Sequence, residues 1–93
     1  MIDEAGAREI VRETLRRAEE HGMPRCVLVG ETLDYGSWWV LGYQSEAFAA
    51  HGDVVHALTG NGPYVVAKDG GAVFTLSSAE PVDEQMDRLR RRT

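Results

Sequence analysis

Two rhythms of apolar and polar residues run along the chain, and the change from one to the other marks its elements. Near the N-terminus Ala7, Ile10, Val11, Leu15 and Ala18 recur at helical spacing. That pattern predicts an amphipathic helix over residues 3–21. Asp3 is placed to cap it, because its carboxylate can accept from backbone N–H groups of the first turn. Gly22 suits the residue just past its end, and Pro24 cannot continue it. On the outer face Glu9, Arg12, Glu13 and Arg17 mix supporting and opposing charge pairs.

From residue 25 the rhythm changes to that of strands. Residues 25–30 form a first β-rich run, and Glu31 to Gly36 reads as a turn. Ser37 to Gln44 is a second strand rich in bulky β formers. A period of two sends Trp39, Leu41 and Tyr43 to one face, read as the inner one, and Trp38 and Val40 to the other. Ser45 to Ala50 fits either a helical turn or an extension of that strand. Val54 to Leu58 fits one short helical turn, and Gly60-Asn61-Gly62-Pro63 is strong punctuation. Residues 64–67 and 72–76 make two further strands joined at Asp69-Gly70-Gly71, a hairpin turn. Pro81 suits the first position of a last helix lined by Val82, Met86 and Leu89. Asp83 and Glu84 lie near its positive end, and four arginines lie near its negative end. The expected fold is α+β: an antiparallel four-stranded meander sheet flanked by an N-terminal and a C-terminal helix, both on one face, in a single domain over residues 1–93.

Composition sharpens this picture. Of 93 residues, 43% are hydrophobic and 27% charged, values of a globular domain with one modest core. The single cysteine, Cys26, excludes an intramolecular disulfide and a multi-cysteine zinc site. Its apolar neighbours mark it as a buried strand residue. No stretch reaches the roughly 20 apolar residues that cross a bilayer, and the acidic N-terminus lacks the apolar segment of a signal peptide. A cytoplasmic location is expected.

The net charge of −5 is unevenly spread: between Cys26 and Asp87 stand nine acidic residues and one basic residue, Lys68. Such a middle section disfavours nucleic acid and anionic membrane and favours a basic protein partner.

Candidate chemistry is sparse. His51 and His56, with Asp53 between them, lack the spacing of a metal site, and no metal or cofactor is expected. No serine has the G-x-S-x-G setting of an activated nucleophile. The G-x-G of residues 60–62 lacks the third glycine and following helix of a phosphate loop, and Pro63 removes an N–H that a phosphate would use. No enzymatic activity is expected.

An ordered string in the middle of the chain carries a resemblance. Trp39, Tyr43-Gln44, Phe48, Gly52-Asp53, Ala57-Leu58, Gly60-Asn61-Gly62-Pro63, Val65-Val66, Gly71 and Ala79-Glu80-Pro81 resemble the YrhB-like family, also called the immunity protein 35 family, over residues 37–90. Ala67 stands where such proteins often carry an acidic residue, and Ser77-Ser78 where they often have Gly-Thr. The resemblance implies a small protein that binds and neutralises a cognate bacterial toxin. The alternative it implies is a stress-related, chaperone-like protein, and an unrecognised small-ligand binder is a second alternative. It offers no catalytic residues. For the immunity reading, the residues expected at a partner surface are Trp38, Glu46, Asp53, Gly60, Asn61 and Pro63. The partner expected is a basic toxin domain, and an exposed edge strand makes a homodimer possible.

Overall fold

A computed structural model of the chain describes residues 1–51 and 62–92. Its elements are α1 (Glu4–Glu20), β1 (Cys26–Asp34), β2 (Trp38–Ser45), α2 (Glu46–His51), β3 (Tyr64–Ala67), β4 (Val73–Thr75) and α3 (Val82–Arg92). The four strands form one sheet in the order β1-β2-β3-β4, each antiparallel to its neighbour. This is the α+β meander with a helix at each end that the sequence predicts.

α1 starts and stops where its side chains dictate. The Asp3 carboxylate accepts from the Gly6 N–H at 2.8 Å. At the other end the N–H of Gly22 donates to the Glu19 carbonyl and that of Met23 to the Ala18 carbonyl. Gly22 has φ +102°, so the end is a Schellman motif. Ala7, Val11 and Leu15 are buried against Leu41 and Val66, with Ile10, Leu28, Trp39, Tyr43 and Tyr64 packed around them. The segment before the helix is tied to the sheet as well. The Ile2 N–H donates to the Lys68 carbonyl at 2.8 Å, and the Trp39 indole N–H donates to the Ile2 carbonyl at 2.9 Å.

Three expectations are corrected. The helices do not share one face. On the face opposite α1, Trp38, Val40 and Val65 are buried with Met86 of α3, and Val82 and Leu89 pack beside them. The reason lies in β2 itself. Its alternate residues are apolar on both sides, and each side needs its own cover. For the same reason Trp38, expected at the surface, is only 8% exposed.

The third correction concerns β1, which does not end at Gly30 but runs on to Asp34. Val29 pairs with Gly42 and Leu33 with Val40, so two extra β1 residues are accommodated in between. Gly30, at φ +72°, takes up the irregularity. The actual turn is Tyr35-Gly36-Ser37, closed by the Tyr35 N–H donating to the Trp38 carbonyl and the Gly36 N–H donating to Asp34 Oδ1.

Residues 45–50, open between two readings in the sequence, resolve as the end of β2 followed by α2. The Ser45 hydroxyl accepts from the Phe48 N–H at 3.2 Å and starts the turn. The expected helical turn of residues 54–58 lies outside the described residues.

Candidate functional site

Among the described residues a groove of about 450 Å³ lies between α1 and the outer edge of β1. Helical spacing builds one wall. Arg8, Arg12 and Arg16 are four residues apart and rise along one side of α1, above Leu15. Arg25, Cys26 and Leu28 form the other wall, and Glu46, the first residue of α2, closes one end. Among the described residues β1 pairs with β2 on one side and with no strand on the other.

The charges here are held in different ways. Arg16 is gripped on both sides, by Glu13 at 2.5 Å and Glu20 at 2.7 Å. That contact holds the Glu13 carboxyl below its ordinary range and raises Arg16. Arg12 pairs with Glu9 at 2.7 Å, and Arg25 loosely with Glu19 at 3.5 Å. Arg8 differs: its guanidinium donates to the Thr32 hydroxyl at 3.1 Å and meets no carboxylate among the described residues. Cys26 is partly buried and its thiol donates to the Pro24 carbonyl. Burial, helped by the nearby Glu19 carboxylate, pushes its pKa up, so it is a protonated, weakly nucleophilic group at neutral pH.

The residues expected at a partner surface do not come together. Trp38 lies beneath α3 at the end of the sheet where β2 begins. Glu46 is exposed at the opposite end of β2. Pro63 is half-buried, and its carbonyl accepts from the Leu76 N–H at 3.0 Å. Beside it Gly62 is buried so close to the Leu76 main chain that a Cβ there would overlap the carbonyl, which gives this part of the turn a structural duty. Asp53, Gly60 and Asn61 lie outside the described residues, as do His56 and the side chain of His51. Among the described residues no group of three His, Cys, Asp or Glu side chains is disposed to hold a metal ion.

The acidic middle of the sequence also looks different once folded. Asp34 pairs with Lys68 at 2.7 Å. α3 brings its terminal arginines back, so that Glu80 pairs with Arg88 and Asp87 with Arg90. Asp83 accepts from the Tyr35 hydroxyl. In the sequence Arg12 and Arg17 are read on the outer face of α1, and Arg8 and Arg16 carry no assignment. The stripe at positions 8, 12 and 16 was the available signal that they share a wall.

Comparison with known proteins settles the lineage. The family model for immunity protein 35 matches residues 5–88. This chain belongs to the immunity protein 35 family. The match takes in all of α1 except its first residue, so the arginine-bearing helix is part of the family domain, beyond the stretch of residues 37–90 that carried the resemblance. An Escherichia coli (strain K12) relative, described as uncharacterized protein YrhB, is 29% identical over 52 residues. The aligned part is 56% of this chain and 55% of that protein, so the chain spans about half the length of the curated relative it matches. No solved structure matches the chain. Among the described residues of this family member, no helix is long and apolar enough to cross a membrane.

Proposed function

We propose that the chain is an immunity protein that binds a cognate bacterial toxin in the cytoplasm and blocks it by occupancy rather than by catalysis. The observation that carries this reading is the family match over residues 5–88, which takes in nearly all of α1, every described strand and much of α3. The outer edge of β1, which pairs with no described strand, and the groove beside it are a surface of the kind that protein partners use.

A toxin domain that is basic overall is the partner favoured by the net charge of −5. With Asp34, Glu80 and Asp87 held in ion pairs, the attraction from the acidic middle of the chain falls to Glu31, Glu46, Asp69, Asp83 and Glu84 among the described carboxylates. Such charges steer encounter more than they set affinity, and salt screens them beyond about 8 Å at physiological ionic strength.

The test is co-expression with toxin domains encoded beside its gene. Restored growth, together with a stoichiometric complex whose association slows as salt rises, is the expected result. Growth arrest that persists despite soluble immunity protein would defeat the proposal. Suppressed aggregation of unrelated proteins, without a specific partner, would replace it with the chaperone-like reading.

A further inference from the structure

We propose that the outer edge of β1, from Arg25 to Val29, receives an extended segment of the partner protein as an added strand, and that this segment alternates carboxylate and aliphatic side chains. The identification of the partner as a toxin rests on the family reading. The recognition chemistry comes from the groove.

The main chain sets the geometry. The Glu46 N–H donates to the Arg25 carbonyl at 2.8 Å, and Arg25 is the residue before the Cys26–Ser45 pair. Hydrogen-bonded and open positions alternate in an antiparallel ladder. Arg25, Val27 and Val29 therefore bond to β2, while the N–H and C=O groups of Cys26 and Leu28 point away from it. No described strand lies on that side. An incoming strand finds two outward donors and two outward acceptors within about 17 Å of chain. Past Val29 the positive φ of Gly30 and the two extra residues break the ladder, which limits the addition to this short stretch.

The two faces of β1 specify what the segment carries. On the α1 side four arginines line the groove, and Arg12, Arg16 and Arg25 are already paired with Glu9, Glu13, Glu20 and Glu19. Arg8 brings a guanidinium that meets no carboxylate among the described residues. A carboxylate on the incoming strand meets a charge-assisted donor there, the stronger kind of hydrogen bond. On the opposite face Val27 and Val29 share the side of Gln44 and Gly42, and Val29 is 40% exposed. An aliphatic side chain on that face covers apolar surface that α3 leaves open. Alternation along one strand meets both demands at once.

The test uses the full chain, labelled with ¹⁵N, and two synthetic seven-residue peptides, one alternating glutamate and valine, the other lysine and valine. The glutamate peptide is expected to shift and protect the amides of Cys26 and Leu28 and to shift those of Arg8 and Arg12. The lysine peptide is expected to bind about tenfold more weakly or worse. The double variant Arg8→Ala/Arg12→Ala is expected to weaken the glutamate peptide about tenfold. Cys26→Pro, which removes an outward N–H and leaves the bonds to β2, is expected to weaken it as well. Equal binding of the two peptides, shifts mapped elsewhere, or no binding would overturn the proposal. So would sedimentation showing a dimer whose β1 amides are already protected, because a second copy would then own the edge. If a toxin is neutralised equally well by the double variant, the groove assignment falls and the immunity reading stands. If the peptide binds as expected but no toxin is neutralised, the reverse holds.

Discussion

One strand feeds two cores, and they are unequal. From β2, Leu41 and its flanking aromatics Trp39 and Tyr43 turn toward α1, while Trp38 and Val40 turn toward α3. The α1 side has a 17-residue helix with three buried side chains, a cap at each end, and the strap formed by Ile2, Lys68 and Trp39. The α3 side has an 11-residue helix with one fully buried residue, Met86. Polar clasps hold much of the rest. The Gln85 amide donates to the carbonyls of Ser77 and Glu80, its oxygen accepts from the Ser77 N–H, and the Tyr35 hydroxyl donates to Asp83. Apolar burial is additive and hard to open piecemeal, whereas exposed clasps compete with water. α1 and the sheet are therefore expected to unfold as one cooperative unit, with α3 opening first.

The largest effect expected follows from removing an α1 anchor. Leu15→Ala should cost about 3 kcal/mol, read by chemical denaturation, because the site lies between a long helix and the sheet and cannot collapse. Met86→Ala should cost somewhat less, about 2–3 kcal/mol, with the loss concentrated in α3 amides when hydrogen exchange is followed. Should Met86→Ala prove the costlier of the two, the ranking of the faces is wrong. Tyr35→Phe removes the bond to Asp83 and should cost about 1 kcal/mol or less, again with faster exchange in α3 but not in α1.

The smallest effect is electrostatic. Hydrogen bonding from Lys68, then from the Gly36 N–H, holds the Asp34 carboxyl below its ordinary range. A depressed folded-state pKa gives stability that is present above the unfolded value of about 4 and is lost as pH falls through the folded value. Asp34→Asn should lower stability slightly at neutral pH, where the paired carboxylate contributes, and converge with the parent as pH falls well below about 4, so that its acid limb is flatter. An acid limb identical to that of the parent protein would show that the pair contributes nothing measurable.

Much of this architecture can be read from the residues. Asp3, Gly22 and Pro24 bound α1 by local chemistry alone, and Asp69-Gly70-Gly71 places the β3–β4 hairpin by the same means. Prediction failed where a local cue was outweighed by pairing at a distance. Gly30 and Glu31 look like a turn, and only the partner strand β2 shows that the ladder resumes at Leu33. The opposite placement of the helices was available in principle, since Trp38 and Val40 are as apolar as Trp39 and Leu41. The groove was the least legible part. Its arginines look like helix-surface ion pairs until the fold brings the edge of β1 alongside them, and the acidic middle of the chain looks less neutralised than it is because Arg88 and Arg90, which pair with Glu80 and Asp87, lie in α3.

The adjacency of Trp38 and Trp39 has a practical consequence. They are neighbours in the chain, yet their indoles report on opposite sides of the sheet, one beneath Met86 and the other under the Lys68 ammonium at 4.2 Å. Two single-tryptophan proteins, Trp38→Phe and Trp39→Phe, therefore provide separate optical gauges of the two layers. Overlapping emission transitions during unfolding would mean that the layers melt as one, and a gap between them would measure how far α3 departs ahead of the rest.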